Sequence, residues 1–257
     1  MDPIPLVIIA SPMQDRSAPL LNSLEPSLIF EVIKLDATMG VELGAPKSLV
    51  TKQELVRFGR ALTQNERACA ISHSRAREII KNSNFGGVIL EDDARILNLA
   101  LFEKTICEFL VSQRLQKKIL SLVQYHGTNE PSPLGKEQNR LIRLPGSFPL
   151  AVAYTLTPKA AEELNYQSNK RSGISDWPDS SCTYYFLRSG LVRHGDEQTN
   201  SIIGQVEIRT SRIPDLIKKI LTYSEVQMIP RNLAKAIKWK IDGKIAESMI
   251  NSRQQKC

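Results

Sequence analysis

Short apolar runs alternate with helix-forming segments through most of the first 165 residues, and this alternation constrains the fold more than any other feature. Leu6–Ala10 and Val88–Leu90 are brief and rich in β-branched residues, which is typical of buried strands. Between them, Thr63–Glu66 fits a capping box, which predicts a helix over residues 64–81. This alternation favours an α/β chain with a mostly parallel, doubly wound sheet and flanking helices.

Further elements are predicted along the chain. The buried stripe of the helix over residues 64–81 is predicted to be Ala68, Ile71, Ala76 and Ile79 or Ile80. Another helix is predicted to follow residues 176–179 and to end at Leu187. Other predicted helices cover residues 17–24, 99–110 and 159–164, and other predicted strands cover residues 28–35, 119–123, 141–144 and 151–156.

Composition and charge narrow the classes of protein. Of 257 residues, 42% are hydrophobic and 24% charged, which is ordinary for a globular chain and excludes disorder along its whole length. The N-terminus lacks a basic segment, and Leu6–Ala10 is too short for a signal-peptide core. The four cysteines are scattered, as expected of thiols in a reducing compartment. We therefore expect a cytoplasmic protein.

The basic charge is concentrated at the C-terminal end. Residues 209–257 hold 11 of the 34 Lys and Arg but 4 of the 27 Asp and Glu, so residues 1–208 balance with 23 of each. Basic and apolar residues alternate there around Trp239, which indicates amphipathic helices. We predict a folded α/β domain over residues 1–208 and a basic helical tail over 209–257. The tail is either a peripheral attachment to the inner membrane surface or a solvated cap.

Three adjacent carboxylates, Glu91-Asp92-Asp93, directly follow the predicted strand over residues 88–90. Like charges this close repel one another, and a bound divalent cation would relieve the repulsion. Oxygen ligands suit Mg²⁺ or Mn²⁺, which often bridge to substrate phosphates. Ligands of doubly wound sheets bind beyond the carboxyl ends of strands, where this triplet lies. The alternative is a solvated turn that is merely acidic.

Several short motifs occur in an order that resembles glycosyltransferase family 25, the bacterial lipooligosaccharide glycosyltransferases. The most informative are Asn65–Ser74, which carries a Glu, a Cys and a Ser-His pair on one predicted helix, and Gly87–Asp93, an apolar strand that ends in Glu-Asp-Asp. The other matching pieces are Ile8–Ser11 with Asp15-Arg16, Leu35–Ala37, Ala153–Thr157 with Ala160-Ala161, and Pro178-Asp179. The resemblance covers roughly residues 6–205. Ala68 replaces the usual Gly, and Ser180 replaces the His that often follows the late Asp.

The resemblance implies a GT-A-like fold and transfer with inversion at the sugar carbon, commonly from UDP-galactose. Inversion needs a base for the acceptor hydroxyl, and carboxylates do this in comparable sugar chemistry. Asp179 matches the late Asp of the family and is the first candidate, with Asp176 second. For either residue the alternative is a helix N-cap. The acceptor is expected to be lipooligosaccharide or another glycan.

The resemblance also assigns roles around the acidic triplet. Asp93 is the expected metal ligand, with Glu91 in support and His194 as a late third ligand. Asp92 is expected to reach the ribose, and Arg16 suits the diphosphate oxygens. The remaining residues expected to bind the nucleotide are Ser11, Asp36, Ala37, Ser72 and His73. For His73 the alternative is a hydrogen-bonded packing residue.

Three other classes of protein compete with this prediction. A nucleic-acid-binding module would use the basic tail, but the neutral body offers no basic groove and such a module leaves the triplet unexplained. A metal-dependent phosphohydrolase or nucleotidyltransferase would also use carboxylates. A catalytically dead scaffold would have no need of an intact triplet. Glucose and N-acetylhexosamines remain alternatives to galactose as the donor sugar.

Overall fold

The computed structural model describes residues 2–43, 62–123, 141–144, 151–170, 181–187 and 190–195. Apart from Leu62, these residues all belong to one compact unit drawn from residues 1–46 and 63–199. The predicted base candidates Asp176 and Asp179 lie outside the described residues, as do the predicted domain boundary and the tail over residues 209–257.

Strands and helices alternate as the sequence predicts. The helices are α1 Ala18–Leu24, α2 Gln64–Lys81, α3 Leu99–Gln113 and α4 Pro158–Lys170, with a 3₁₀ helix at Gly40–Leu43. The strands are β1 Ile4–Ala10, β2 Phe30–Asp36, β3 Gly87–Glu91, β4 Ala94–Ile96, β5 Lys118–Ser121, β6 Ile142–Leu144, β7 Ala153–Leu156, β8 Thr183–Phe186 and β9 Val192–His194.

Seven of these strands form one mixed sheet in the order β2-β1-β3-β7-β5-β8-β6. The pairs β1–β2, β1–β3 and β5–β8 are parallel, and the strand pairs that involve β7 or β6 are antiparallel. Five strands therefore run in one direction and two in the other. This mostly parallel α/β sheet confirms the predicted GT-A-like fold class. Because Ala10 pairs with Asp36 and Ile9 with Glu91, the ends of β1, β2 and β3 share one edge.

Apolar cores cover both faces of this sheet. Successive side chains of a strand point to opposite faces, and every residue of β1 is buried. Leu6 and Ile8 join a cluster with α1 and α3, whereas Val7 and Ile9 join a cluster with α2 and α4. A strand buried on both faces is expected in a doubly wound sheet. β1 therefore supports the edge that the ends of β1, β2 and β3 share.

Helix α2 has the predicted bounds, but the prediction that Ile71 belongs to its buried stripe is wrong. Thr63 and Glu66 form both hydrogen bonds of the capping box. Ile71 is 39% exposed, because the inward face of α2 is more polar than its apolar periodicity suggests. The buried residues of this helix are Ala68, Ser72, His73, Ala76, Arg77 and Ile80.

The prediction of a helix that ends at Leu187 is also wrong within the described residues. Thr183–Phe186 forms the strand β8, which pairs with β5 on one side and β6 on the other. Its β-branched and aromatic composition suits a strand that is paired on both edges. Among the described residues, no helix is both long enough and apolar enough to cross a membrane.

Candidate active site

The acidic triplet lies at the carboxyl end of β3, where backbone hydrogen bonds hold it on both sides. The Glu91 amide donates to the carbonyl of Val152 at 2.8 Å, and the Asp92 amide donates to the carbonyl of Ile9 at 3.0 Å. These hydrogen bonds fix the backbone that carries the three carboxylates. Each of the three carboxylates contacts different neighbouring side chains.

Asp92 ties the triplet to the loop that follows β1. It is 3% exposed, and its Oδ1 accepts a 2.7 Å hydrogen bond from Nη2 of Arg16. Its Oδ2 accepts a 3.1 Å hydrogen bond from the backbone amide of Ser11. Asp15 in the same loop accepts hydrogen bonds from Ser17 and Lys34. These contacts fix the position of the Arg16 guanidinium over the strand ends.

Asp93 carries the least satisfied carboxylate of the three. Its Oδ2 lies 3.2 Å from Nη2 of Arg16 and 3.5 Å from Nε2 of His194. Its Oδ1 is buried and has no hydrogen-bond partner among the described residues. Burial and the negative charge of Glu91 raise the pKa of Asp93, and His194 and Arg16 only partly offset that rise. This is the environment in which a carboxylate gains most from a cation.

His194 reaches Asp93 through a two-stranded sheet that sequence patterns did not predict. β4 and β9 pair antiparallel, with Ala94 opposite His194. Gly195 then passes so close to Asp93 that a Cβ at this position would lie 2.7 Å from the Asp93 carbonyl oxygen. The late histidine is therefore placed beside the triplet by strand pairing and by a close backbone approach.

Glu91 contacts helix α2. Its Oε1 lies 3.2 Å from Nε2 of His73, and Nδ1 of His73 lies 3.0 Å from the hydroxyl of Tyr154. Burial raises the pKa of Glu91, but the His73 hydrogen bond and nearby positive charge outweigh it and lower the pKa. Because an ionised carboxylate only accepts, Nε2 of His73 donates to Glu91, and in a neutral imidazole Nδ1 then accepts from the Tyr154 hydroxyl.

Tyr154 on β7 is a site residue that the role assignment missed. Burial raises the pKa of Tyr154 to about 12, so the hydroxyl remains protonated at neutral pH. The Ala153-Tyr154 motif predicted a strand, but nothing in the sequence indicated a contact between Tyr154 and His73. The antiparallel pairing of Ile89 with Tyr154 makes this connection.

The residues predicted to line the nucleoside pocket lie one strand further along the same edge. Asp36 ends β2 and is exposed, and the amide of Ala37 donates to the carbonyl of Ala10 at 2.8 Å. The hydroxyl of Ser72 accepts from the Thr38 amide at 2.8 Å and donates to the carbonyl of Ala68 at 2.9 Å. Ser72 therefore fixes the loop after β2 to α2.

Comparison with known families decides the class of protein. Residues 27–176 match the model of glycosyltransferase family 25, described as an LPS biosynthesis protein. The chain belongs to glycosyltransferase family 25. A search of curated proteins found no match. The match spans the acidic triplet and α2 but ends before His194, which the structure adds to the site through β9.

The structure of this family 25 glycosyltransferase brings most of the predicted site together. Ser11, Arg16, His73, the acidic triplet and His194 form one connected cluster. Asp36, Ala37 and Ser72 line the adjacent strand end. His73 is fully buried with both ring nitrogens in protein contacts, which favours action through Glu91 over direct nucleotide contact.

A glycosyltransferase takes its sugar from a nucleotide-sugar donor, and this cluster holds charged groups of both signs. Nε of Arg16 is buried without a hydrogen-bond partner among the described residues, as is Oδ1 of Asp93. The first is an unmatched donor and the second an unmatched acceptor. A bound anion satisfies the first and a bound cation satisfies the second.

Proposed function

We propose that this glycosyltransferase moves a hexose, galactose first among the candidates, from a UDP-sugar to a lipooligosaccharide or related glycan acceptor. The observation that carries the proposal is the pair of unmatched buried atoms, Nε of Arg16 and Oδ1 of Asp93, at one strand edge. A divalent cation together with a diphosphate supplies the missing partner for each. The family description as an LPS biosynthesis protein supports the acceptor class.

Asp93 and His194 are the residues that would hold the cation, with Glu91 beside them. Carboxylate oxygen and imidazole nitrogen together suit Mn²⁺ better than Mg²⁺, which prefers oxygen ligands alone. Bound there, the cation would orient the diphosphate and offset charge on the leaving nucleoside diphosphate. The raised pKa of Asp93 supports this assignment, because burial beside Glu91 leaves its charge without a full counterion.

Protein groups around Asp93 would position the rest of the donor. Arg16 presents a planar fork that suits phosphate oxygens, and it is already oriented by Asp92. Asp36 and Ala37 lie at the next strand end, where the nucleoside would extend from the diphosphate. Asp92 is held by both Arg16 and Ser11, so any contact with the ribose would use the remaining lone pairs of its carboxylate.

Inversion at the sugar carbon requires a base on the face opposite the leaving group. We propose Asp179 for this role and Asp176 as the second candidate, from the resemblance to the late Asp of the family. The two are separated by testing Asp179→Asn and Asp176→Asn for transfer. The base variant should lose transfer and retain metal-dependent nucleotide binding. If Asp179→Asn transfers sugar at the wild-type rate, Asp179 is not the base.

We also propose that the enzyme works on the cytoplasmic face of the membrane, attached through the basic tail over residues 209–257. The concentration of Lys and Arg in that segment supports attraction to anionic lipid. Flotation with anionic liposomes tests this proposal with full-length and tail-deleted protein. Equal flotation of the two proteins would contradict it.

Thermal unfolding with a panel of nucleoside diphosphates and sugar nucleotides, each with and without Mn²⁺, tests the donor and the metal together. UDP and UDP-galactose should stabilise the wild type only with Mn²⁺, by about 2.7 kcal/mol at a hundredfold excess over the dissociation constant. Asp93→Asn should lose this effect, and Asp2→Asn, before the amino end of β1, should retain it. If no nucleotide shifts the wild type under any metal condition, the proposed donor is wrong.

A further inference from the structure

A thiol, an imidazole and a carboxylate converge where α2 packs against the end of β3. The donor atoms of Cys69, His73 and Glu91 all lie within 4.8 Å of one another. Among the described residues, no other group of three or more His, Cys, Asp or Glu side chains meets this distance. The cluster shares Glu91 with the acidic triplet but includes neither Asp93 nor His194.

The positions of these residues follow from two regular elements. Cys69 and His73 are four residues apart on α2, so their side chains lie one above the other on the same helix face. Glu91 is the last residue of β3, and its backbone is fixed by the bond to Val152. The backbones of the three residues are therefore held by a capped helix and a central strand.

The distances suit a small tetrahedral cation. With metal–ligand bonds of about 2.0–2.3 Å, two ligands of a tetrahedral zinc site lie about 3.4–3.6 Å apart. Nε2 of His73 and Oε1 of Glu91 are already 3.2 Å apart. The remaining separations are at most 4.8 Å, so a contraction of at most about 1.4 Å is needed, which rotation of the half-buried Cys69 side chain can provide.

Tyr154 supplies the outer contact that a metal-bound histidine needs. Such a histidine usually gives its second ring N–H to a hydrogen-bond acceptor. With Nε2 on a metal, the proton of neutral His73 moves to Nδ1, which lies 3.0 Å from the Tyr154 hydroxyl oxygen. A hydroxyl can accept as well as donate, so this contact survives the change of tautomer.

We infer that Cys69, His73 and Glu91 form a binding site for a thiophilic divalent cation such as Zn²⁺, distinct from the Mn²⁺ position at Asp93. Thiolate and imidazole ligands select Zn²⁺ over Mg²⁺ or Mn²⁺. Coordination forms three protein–metal bonds and releases the Cys69 thiol proton to solvent. A fourth position stays open to water. The site depends neither on the donor sugar nor on metal binding at Asp93.

Cobalt substitution tests the site through the metal–sulfur bond itself. Co²⁺ added to chelator-treated full-length protein should produce a thiolate-to-cobalt charge-transfer band, and Zn²⁺ should abolish it. Co²⁺ at Asp93 should not produce this band, because the charged neighbours of Asp93 among the described residues are Arg16, His194 and carboxylates. Cys69→Ser should remove the band, and the matched variants Cys107→Ser and Cys182→Ser should keep it. No band in the wild type, or a wild-type band in Cys69→Ser, would overturn the inference.

A second measurement uses the wild type alone, so it does not depend on how a variant folds. Zn²⁺ should slow alkylation of Cys69 by iodoacetamide at least tenfold, as followed by peptide mass spectrometry. Alkylation of Cys107 should be unaffected, because this half-buried thiol lies on α3, away from the cluster. Equal rates at Cys69 with and without Zn²⁺ would contradict the site, whatever the outcome of nucleotide-binding or transfer assays.

Discussion

Arg16 and Asp92 are 76 residues apart in the chain, and a hydrogen bond of 2.7 Å joins them at the site edge. Arg16 also lies 3.2 Å from Asp93, so one guanidinium balances two buried carboxylates. This single cation connects the loop after β1 with the end of β3. Four predictions follow from it and from the contacts around it.

Arg16→Met should destabilise the fold by about 2–3 kcal/mol, because it leaves Asp92 and Asp93 buried without their counterion. Urea unfolding at pH 7 measures this change. Lys34→Met is the matched control, since it breaks an exposed ion pair with Asp15 and should cost about 0–1 kcal/mol. Equal losses in the two variants would show that the Arg16 pair is no more important than a surface pair.

Asp93→Asn should stabilise the metal-free protein at pH 7 by about 0.5–2 kcal/mol. The folded pKa of Asp93 lies above its ordinary 3.8, so at a pH between these two pKa values the folded chain binds more protons than the unfolded chain. The stability that Asp93 contributes therefore falls as the pH rises from 3.8 through the raised pKa. The advantage of Asn should shrink as the pH is lowered towards 3.8. An advantage that grows on acidification would contradict the raised pKa.

Gly195→Ala should move His194 away from Asp93. The new Cβ would lie 2.7 Å from the Asp93 carbonyl oxygen and 3.2 Å from its Cβ, so the backbone must shift. We expect a loss of about 1–3 kcal/mol in the free energy of unfolding and a weaker response to Mn²⁺ with UDP. Arg193→Ala, on the exposed side of β9, should change neither measurement. An unchanged metal response in Gly195→Ala would exclude His194 as a ligand.

Tyr154→Phe should cost about 1–3 kcal/mol in stability, because it leaves Nδ1 of buried His73 without its partner. Chemical denaturation measures the loss. Tyr185→Phe keeps the ring contacts with Phe109 and Lys118 and serves as the control. Equal losses of stability in the two variants would contradict a stabilising hydrogen bond between the Tyr154 hydroxyl and His73.

Local patterns predicted the parts of the fold that depend on local physics. The capping box at Thr63 and Glu66 fixed the start of α2, and the apolar run Val88–Leu90 marked β3 before the triplet. The helix predicted over residues 99–110 is α3, and Asn98 caps it by accepting from the Leu101 amide. Each of these signals is complete within a few neighbouring residues, so tertiary contacts did not override it.

The missed features depend on partners far away in the chain. β8 was predicted to be helical because its two neighbours, β5 and β6, were not visible to a local pattern. Ile71 was predicted to be buried, but the inward face of α2 carries Ser72 and His73 because they meet groups of the site edge. Functional residues displace apolar ones at such positions, so periodicity alone gives the wrong face.

The resemblance predicted residues that the structure brings together, but it did not give their contacts. Glu91 was predicted to support Asp93, which stays a prediction, and the structure adds its contact with His73. His194 was predicted from its late position only, and the structure places it 3.5 Å from Asp93 through the β4–β9 pair. The assignment of each residue as a ligand stays a prediction, since a distance between side chains does not show a bound metal.

The pairing of β4 with β9 also sets the time at which the cluster around Asp93 is complete during synthesis. β1, β2 and β3 are early in the chain and adjacent in the sheet, so they can associate once the ribosome has released them. His194 emerges about 100 residues after Asp93, and it reaches its place only when β9 closes on β4. A nascent chain can thus have the folded edge of β1, β2 and β3 and still lack His194 beside Asp93.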